Sequence, residues 1–278
     1  MIRIVTDSTS ALPKDFVERY NIVVVPLKVA FEDEVYKDGV DINPEMFFEK
    51  IKKTNIFPKT SQPSVEDFYN VYKEMEDTDA IISIHISSKL SGTVGSANSA
   101  KMMLPFSEKI YVIDSEVTEF ALGYMVIEIA RAIEEGKNLN EIFGIIEKMK
   151  KDKEILFTVD TLEYLYRGGR IGAAQAWMGS ILQIKPILEL RDGVIEPVER
   201  VRTKSKVKNR IFEIMKERIG DTPVKVAFAY SDNEEEVKAI SEEAKQIFNI
   251  KEMFCVSFSC TILSHIGPGS WGMICYKI

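Results

Sequence analysis

The run Ile81-Ile82-Ser83-Ile84-His85-Ile86-Ser87-Ser88-Lys89-Leu90-Ser91-Gly92-Thr93 carries the reading of the fold. Its first six residues are an apolar run of strand length. The hydroxyl-rich remainder ends in Gly92-Thr93 before Val94, the pattern of a strand that turns through a loop into a helix. The same alternation extends to both sides. Strands are predicted at Ile2–Thr6, Ile22–Val25 and Ile110–Asp114. Asn43 followed by Pro44 marks one helix start, and Ser64 followed by Glu66 and Asp67 marks another. Paired helices are predicted over Phe120–Glu135 and Leu139–Lys151. Short strands alternating with helices imply an α/β/α domain with a mainly parallel sheet.

The charged run Lys148–Glu154 closes this pattern, so the boundary is set between residues 153 and 154, with domains 1–153 and 154–278. Beyond it come a strand at Ile155–Val159, the run Gly168-Gly169-Arg170-Ile171-Gly172 and an apolar helix near Ala173–Leu182. A hairpin is predicted to turn at Asp192-Gly193. A helix over Lys204–Ile219, a strand at Val224–Tyr230, an acidic-start helix over Asn233–Phe248, and strands near Glu252–Val256 and Gly272–Tyr276 follow. Together they predict a second α/β domain with a mixed sheet.

Composition narrows the function. A chain of 278 residues with 45% hydrophobic content is long enough for two domains. Its 36 Lys and Arg face 43 Asp and Glu, and the net charge of -7 argues against wrapping nucleic acid. Cys255, Cys260 and Cys275 lack C-x-x-C spacing, with only His85 and His265 to complete a site, so no metal site is expected. The odd cysteine count and the strand pattern directly after Met1 predict a cytoplasmic protein without a presequence. Glu128 and Arg131 interrupt the apolar stretch Phe120–Ile133, so no transmembrane segment is expected.

In an open parallel sheet, ligands sit beyond the carboxyl ends of the strands, and here hydroxyls collect there. Thr6-Asp7-Ser8-Thr9-Ser10, Ser87 to Thr93 and Asp114-Ser115 each follow a strand, and Thr60-Ser61-Gln62-Pro63-Ser64 leads into a helix. Ser91-Gly92-Thr93 reads in two ways: as a helix cap with a turn glycine, or as a cradle of N–H and O–H donors for a small anion such as a carboxylate. Thr60 and Ser61 carry the same two readings. No G-x-S-x-G or Walker A motif is present. His85 falls in a buried strand, and His265 in a loop Ser264–Gly269 where it reads as a ligand contact or a plain loop residue. Arg170 is expected to clamp its glycine turn against a carboxylate of the other domain. The basic cluster around Arg200 and Arg202 reads as a solvated face or a docking patch.

Together, Val5 to Ser10, Thr60 to Ser64, Ser87 to Thr93, Gly168 to Gly172, Ile184-Lys185-Pro186-Ile187-Leu188 and His265-Ile266-Gly267-Pro268-Gly269 resemble the DegV family of bacterial fatty-acid-binding proteins. The resemblance implies a lipid tunnel between the two domains that holds a long-chain fatty acid such as palmitate, without any other cofactor. It implies carboxylate contacts from Thr60, Ser61, Ser91, Gly92 and Thr93, with His265 close by. Ala173, Ala176, Trp177, Met178, Ile181 and Leu182 become tunnel-wall candidates. Burying about fourteen methylenes at ~0.8 kcal/mol each provides roughly 11 kcal/mol before binding costs, so the tail supplies most of the affinity. The resemblance further implies a non-enzymatic carrier that presents the acid to a separate fatty-acid kinase for phospholipid synthesis. In that role Arg170, Arg200 and Arg202 would contact the partner or orient the headgroup. Two departures stand out: Val94-Gly95 replaces an aromatic and a polar residue, and Thr118-Glu119-Phe120-Ala121 replaces a stretch richer in hydroxyls and glycine. The reading from a different class is an enzyme, a small-molecule transferase or kinase-related protein, that acts through the Ser/Thr loops and His265.

Overall fold

The computed structural model describes residues 1–179 and 184–278. In chain order the first part carries β1 (Ile2–Asp7), α1 (Lys14–Arg19), β2 (Val23–Val25), β3 (Lys28–Phe31), β4 (Glu34–Lys37), α2 (Pro44–Thr54), β5 (Lys59–Ser61), α3 (Val65–Lys73), β6 (Ala80–His85), α4 (Thr93–Met102), β7 (Ile110–Asp114), α5 (Phe120–Glu134) and α6 (Leu139–Lys151). The rest carries β8 (Lys153–Thr158), α7 (Glu163–Arg167), β9 (Lys185–Arg191), β10 (Val194–Val201), α8 (Lys204–Ile219), β11 (Val224–Tyr230), α9 (Glu234–Ile247), β12 (Ile250–Ser257), α10 (Cys260–Ile266) and β13 (Trp271–Lys277).

The first sheet has the order β2-β1-β6-β7 and is parallel throughout. Every residue of β6 is buried, as a strand covered on both faces requires. The two-residue period sorts its side chains. Ile81 joins Val5, Phe68, Tyr72 and Ala97 beneath α3 and α4, whereas Ile82, Ile84 and Ile4 join the cluster built around α5. Helix starts follow the local chemistry: Asn43 accepts from the Met46 N–H with Pro44 in the first turn, and Ser64 and Asp67 form a capping box. A small antiparallel sheet, β4-β3-β5, lies beside this core. The apolar pattern does not signal it, because β4 is largely exposed and β5 is three residues long.

The second sheet has the order β10-β9-β8-β13-β11-β12, with only β11 and β12 parallel. The β9–β10 hairpin turns at Asp192 and Gly193, whose φ values of 50° and 79° are those of a tight hairpin turn. Leu156, Val226, Phe228 and Met273 pack under α8 and α9 with Val207, Ile211 and Val237. Ile155, Ala227, Ala229 and Ile274 point the other way, into the cluster around α5. That helix is shared by both sheets: the Tyr124 hydroxyl donates to the Val226 carbonyl at 3.1 Å, and the Tyr276 hydroxyl to the Ala121 carbonyl at 2.8 Å. No described helix is long and apolar enough to cross a membrane.

Two local expectations are corrected. His265 lies in the last turn of α10, capped by Ser259 and ended by Gly267 at φ 71°, and not in a loop. Gly172–Trp177 forms a 3-10 helix where an α-helix is predicted; the remainder of that prediction, with Ile181 and Leu182, lies outside the described residues.

Candidate functional site

A cavity of about 340 Å³ lies between the loops of the first sheet and the inner face of the second. Its floor follows the two-residue strand period: Ile155 and Phe157 from β8, Ala229 from β11, and Gly272 and Ile274 from β13. Ala229 and Gly272 are register partners, so the floor is lowest where two small residues meet. Ile86, Leu165, Leu190, Ile195, Phe258 and Ile266 complete an apolar wall. Such a volume and lining suit a single organic ligand with a hydrocarbon body.

One end is polar. Thr60, Ser61, Gln62, Ser91, Arg170 and His265 line it, and exposed Ser61 and Gln62 place this end at the opening. Ser91 does not cap α4. Gly92 is the N-cap residue and no side chain satisfies the first turn, while the Ser91 and Thr93 hydroxyls bond each other at 2.9 Å. The first N–H groups of α4 therefore lack a side-chain acceptor beside Ser91, an arrangement that favours an anion. Gly92 and Thr93 stand behind Ser91 and not on the wall. The Gln62 side chain lies over Gly92, where any Cβ would collide with it, and donates to Ser96 Oγ at 2.8 Å. This contact joins the segment after β5 to the start of α4; Thr60 and Ser61, expected on a loop, belong to β5 itself.

Thr60 Oγ1 and His265 Nε2 are 2.8 Å apart. Burial, with the Arg170 charge nearby, pushes the imidazole down to about 4, so it is neutral at pH 7. His265 Nδ1 is buried and has no partner among the described residues. Leaving a bare acceptor unpaired is milder than leaving an N–H unpaired, which favours the tautomer with the proton on Nε2. His265 then donates to Thr60, and the Thr60 hydroxyl proton is released for a ligand. Among the described residues no carboxylate orients the ring, as an acid–base pair would require. Arg170 donates to the Leu90 carbonyl at 3.0 Å and the Gly168 carbonyl at 2.6 Å. The expected clamp to a carboxylate is thus a clamp to a carbonyl, because the 87–93 loop approaches through its backbone. The guanidinium charge stays at the cavity wall, making the site less neutral than the hydroxyl loops alone suggest.

A second polar region lies inside. Glu119 and Thr118 line the cavity, and Glu119 is 4% exposed. Glu119 Oε1 accepts from the Ser259 N–H at 2.9 Å and the Ser259 hydroxyl at 2.7 Å. Burial, helped by the nearby negative groups Asp38 and Asp7, pushes its carboxyl up to about 8. Its backbone at φ 57°, ψ -154° is one a side chain rarely adopts, and the bonds to Ser259 hold it there. Asp38 accepts from the Ser8 and Thr261 hydroxyls and from the Cys260 and Thr261 N–H groups, and burial raises its carboxyl also. Sequence reading marked Thr118-Glu119 only as a departure from the family pattern and Gln62 only as part of a motif, and named none of them, nor Thr261, as a site residue; the available signal was an acidic residue opening an otherwise apolar helix.

The other hydroxyl clusters serve the fold. Asp7 binds Thr9 and the Ile86 N–H, and Asp114 binds Ser88 and the Glu116 N–H. Asp7, His85 and Ser83 form a chain of hydrogen bonds at 3.1 and 2.6 Å in the order of a catalytic triad. All three are fully buried and Ser83 Oγ bonds Tyr72, so a substrate cannot reach the serine. Ala173 and Ala176 are exposed, and Trp177 and Met178 line a separate groove with Arg200. None of these four lines the cavity. The Arg200 guanidinium lies over the Trp177 ring, 5.5 Å from its centroid, and both Arg200 and Arg202 are exposed, away from the cavity.

A family model described as an uncharacterised protein of the DegV family matches residues 1–277. Protein DegV of Bacillus subtilis is 38% identical over 280 residues, spanning 99% of each chain. A DegV domain-containing protein of Clostridium perfringens is 36% identical, spanning 98% of this chain and 97% of its own. Among solved structures, a DegV family protein from Thermus thermophilus, described by its fatty acid binding, superposes with a TM-score of 0.94 at 38% identity, covering 100% of this chain and 99% of that one. Bacillus subtilis DegV, described as a fatty acid binding protein, superposes with a TM-score of 0.89 at 37% identity and 99% coverage of both. A stearic-acid-binding protein from Eubacterium ventriosum gives 0.91 at 28% identity, covering 100% and 98%. On the strength of a match that runs nearly end to end, this chain belongs to the DegV family.

Proposed function

We propose that this chain binds a long-chain fatty acid non-covalently between residues 1–153 and 154–278, with the tail over the floor of the second sheet and the carboxylate at the opening. One observation carries the reading: a single cavity joins an apolar floor to a cluster of hydroxyl and N–H donors. Hydrocarbon burial provides the affinity, and the donors keep the carboxylate from being buried unpaired. Thr60, Ser61 and Ser91 are the direct contacts in this reading. Gly92 and Thr93 shape the turn, and His265 and Arg170 orient and balance the headgroup. The relatives described as fatty-acid-binding support it.

Lipid extracted from the purified protein and analysed by mass spectrometry is expected to contain a long-chain acid. Recovery of none, with no binding of added acid, would count against the proposal. The double variant Thr60→Ala, Ser91→Ala removes two hydrogen bonds to a charged group, each worth about 1.5–3 kcal/mol. Its affinity for fatty acid is expected to fall at least about tenfold. Unchanged affinity in the folded variant would place the headgroup elsewhere.

Among the described residues no carboxylate orients the His265 ring beside Thr60, and we assign the chemistry to a separate cytoplasmic fatty-acid kinase to which the loaded carrier is presented. Exposed Arg200 and Arg202, with Arg170 at the opening, are the proposed contacts. Incubated with ATP and fatty acid, the chain alone should yield no acyl phosphate and the reconstituted pair should; product from the chain alone would restore the enzyme reading.

A further inference from the structure

A carboxylate at the opening leaves the inner polar region of the cavity without a role. Glu119 Oε2 and Thr118 Oγ1 are both buried, both belong to residues that line the cavity, and neither has a hydrogen-bond partner among the described residues. Facing only hydrocarbon, such groups are costly. They are also well separated from the headgroup donors. Glu119 is tied to Ser259 at the start of α10, whereas Thr60 is tied to His265, six residues further on. At 1.5 Å per residue the two attachments are about 9 Å apart along the helix.

We propose that Glu119 and Thr118 form a second polar subsite, part way along the cavity, that takes a hydroxyl or similar oxygen substituent on the acyl chain. The preferred ligand class is then an oxygenated long-chain fatty acid. This rests on the fatty-acid reading above and refines it. The carboxyl of Glu119, raised to about 8, is protonated at neutral pH and so acts as an uncharged O–H donor; its charged surroundings are Asp38 and Asp7. A chain hydroxyl can accept from Glu119 while Thr118 Oγ1 accepts from it, which satisfies both groups at once. An unsubstituted chain would leave both unpaired against methylenes, and sites built around buried polar groups discriminate strongly against ligands that lack the matching group.

The test is a titration of the purified, delipidated chain with stearic acid and with a positional series of monohydroxystearic acids. At least one hydroxylated acid is expected to bind about tenfold or more tightly than stearic acid. Thr118→Val, which keeps the shape and removes the hydroxyl, should lower that ratio several-fold. Glu119→Met should bring it near one, as the hydroxylated acid loses its partner and the plain chain gains an apolar one. Because Glu119→Met also loses the bonds to Ser259, Thr118→Val keeps the result readable if the former fails to fold. Equal binding of every acid overturns the subsite and leaves the fatty-acid reading standing. Binding of none overturns both.

Discussion

Glu119 shows how a single residue departs from its usual chemistry. Its carboxyl is enclosed by the cavity wall, the start of α10 and two other buried acids, so the neutral form is favoured up to about pH 8. An acid whose folded value lies above its unfolded one, near 4.5, supports the fold fully below that value and loses the contribution as pH rises towards 8. His265 has the opposite sense. Its value of about 4, against 6.5 when unfolded, costs stability as pH falls from 6.5 to 4. His265 is neutral in the folded state from pH 6.5 to 8 and loses its remaining unfolded-state proton just above 6.5, a change that the wild type and a Glu119 variant share, so their difference isolates Glu119. Denaturant melts across that window are expected to show the wild type losing about 2 kcal/mol, and Glu119→Gln little of it. Parallel profiles for the two chains would show that the buried carboxyl is already ionised at neutral pH.

At the scale of elements, the decisive feature is the pairing of β11 with β13. Ala229 stands opposite Gly272, and their small size opens the floor on which a tail would lie. A larger side chain at 229 would cross the pair and fill that space. Ala229→Phe is therefore expected to reduce long-chain fatty-acid affinity by at least about tenfold, with far-ultraviolet circular dichroism unchanged, since β-strands accept aromatic residues well. Normal affinity in this variant would mean that the tail runs elsewhere. The helix starts were legible beforehand because Asn43-Pro44 and Ser64 with Asp67 act over three residues. Helix α10 was hidden, since its seven residues hold Thr261, Ser264 and His265 among apolar ones, and its start is fixed by Asp38, more than two hundred positions away.

Across the whole molecule, the two sheets share one core cluster, which runs from Ile4 and Ile82 through α5 to Ala227 and Ile274. Polar ties add to it: Asp38 with Thr261, Glu119 with Ser259, Lys89 with the Asp192 carbonyl, and Ser87 with the Gly193 carbonyl. With so much shared surface the halves should unfold together. Calorimetry is expected to show a single transition that moves upward when fatty acid is added, by a stabilisation of about 2.7 kcal/mol at a free concentration one hundred times Kd. Two separate transitions, with only one responding to ligand, would show that the cavity belongs to one half alone.

The amino-acid sequence determined the α/β architecture, most helix starts, the Asp192-Gly193 hairpin and the placement of Ser91 on a loop beyond a strand, whereas Thr60 and Ser61, expected on a loop, lie in the short strand β5. These depend on periodicity, capping and turn preference, which act between residues a few positions apart. Tertiary structure alone decided that Thr60 meets His265, that Arg170 grips a carbonyl, that Trp177 lines a groove separate from the cavity, and that burial holds Glu119 neutral. It also set Ala229 against Gly272. Each of these depends on strand register or burial between segments far apart in the chain, and neither quantity is written in any local pattern of residues.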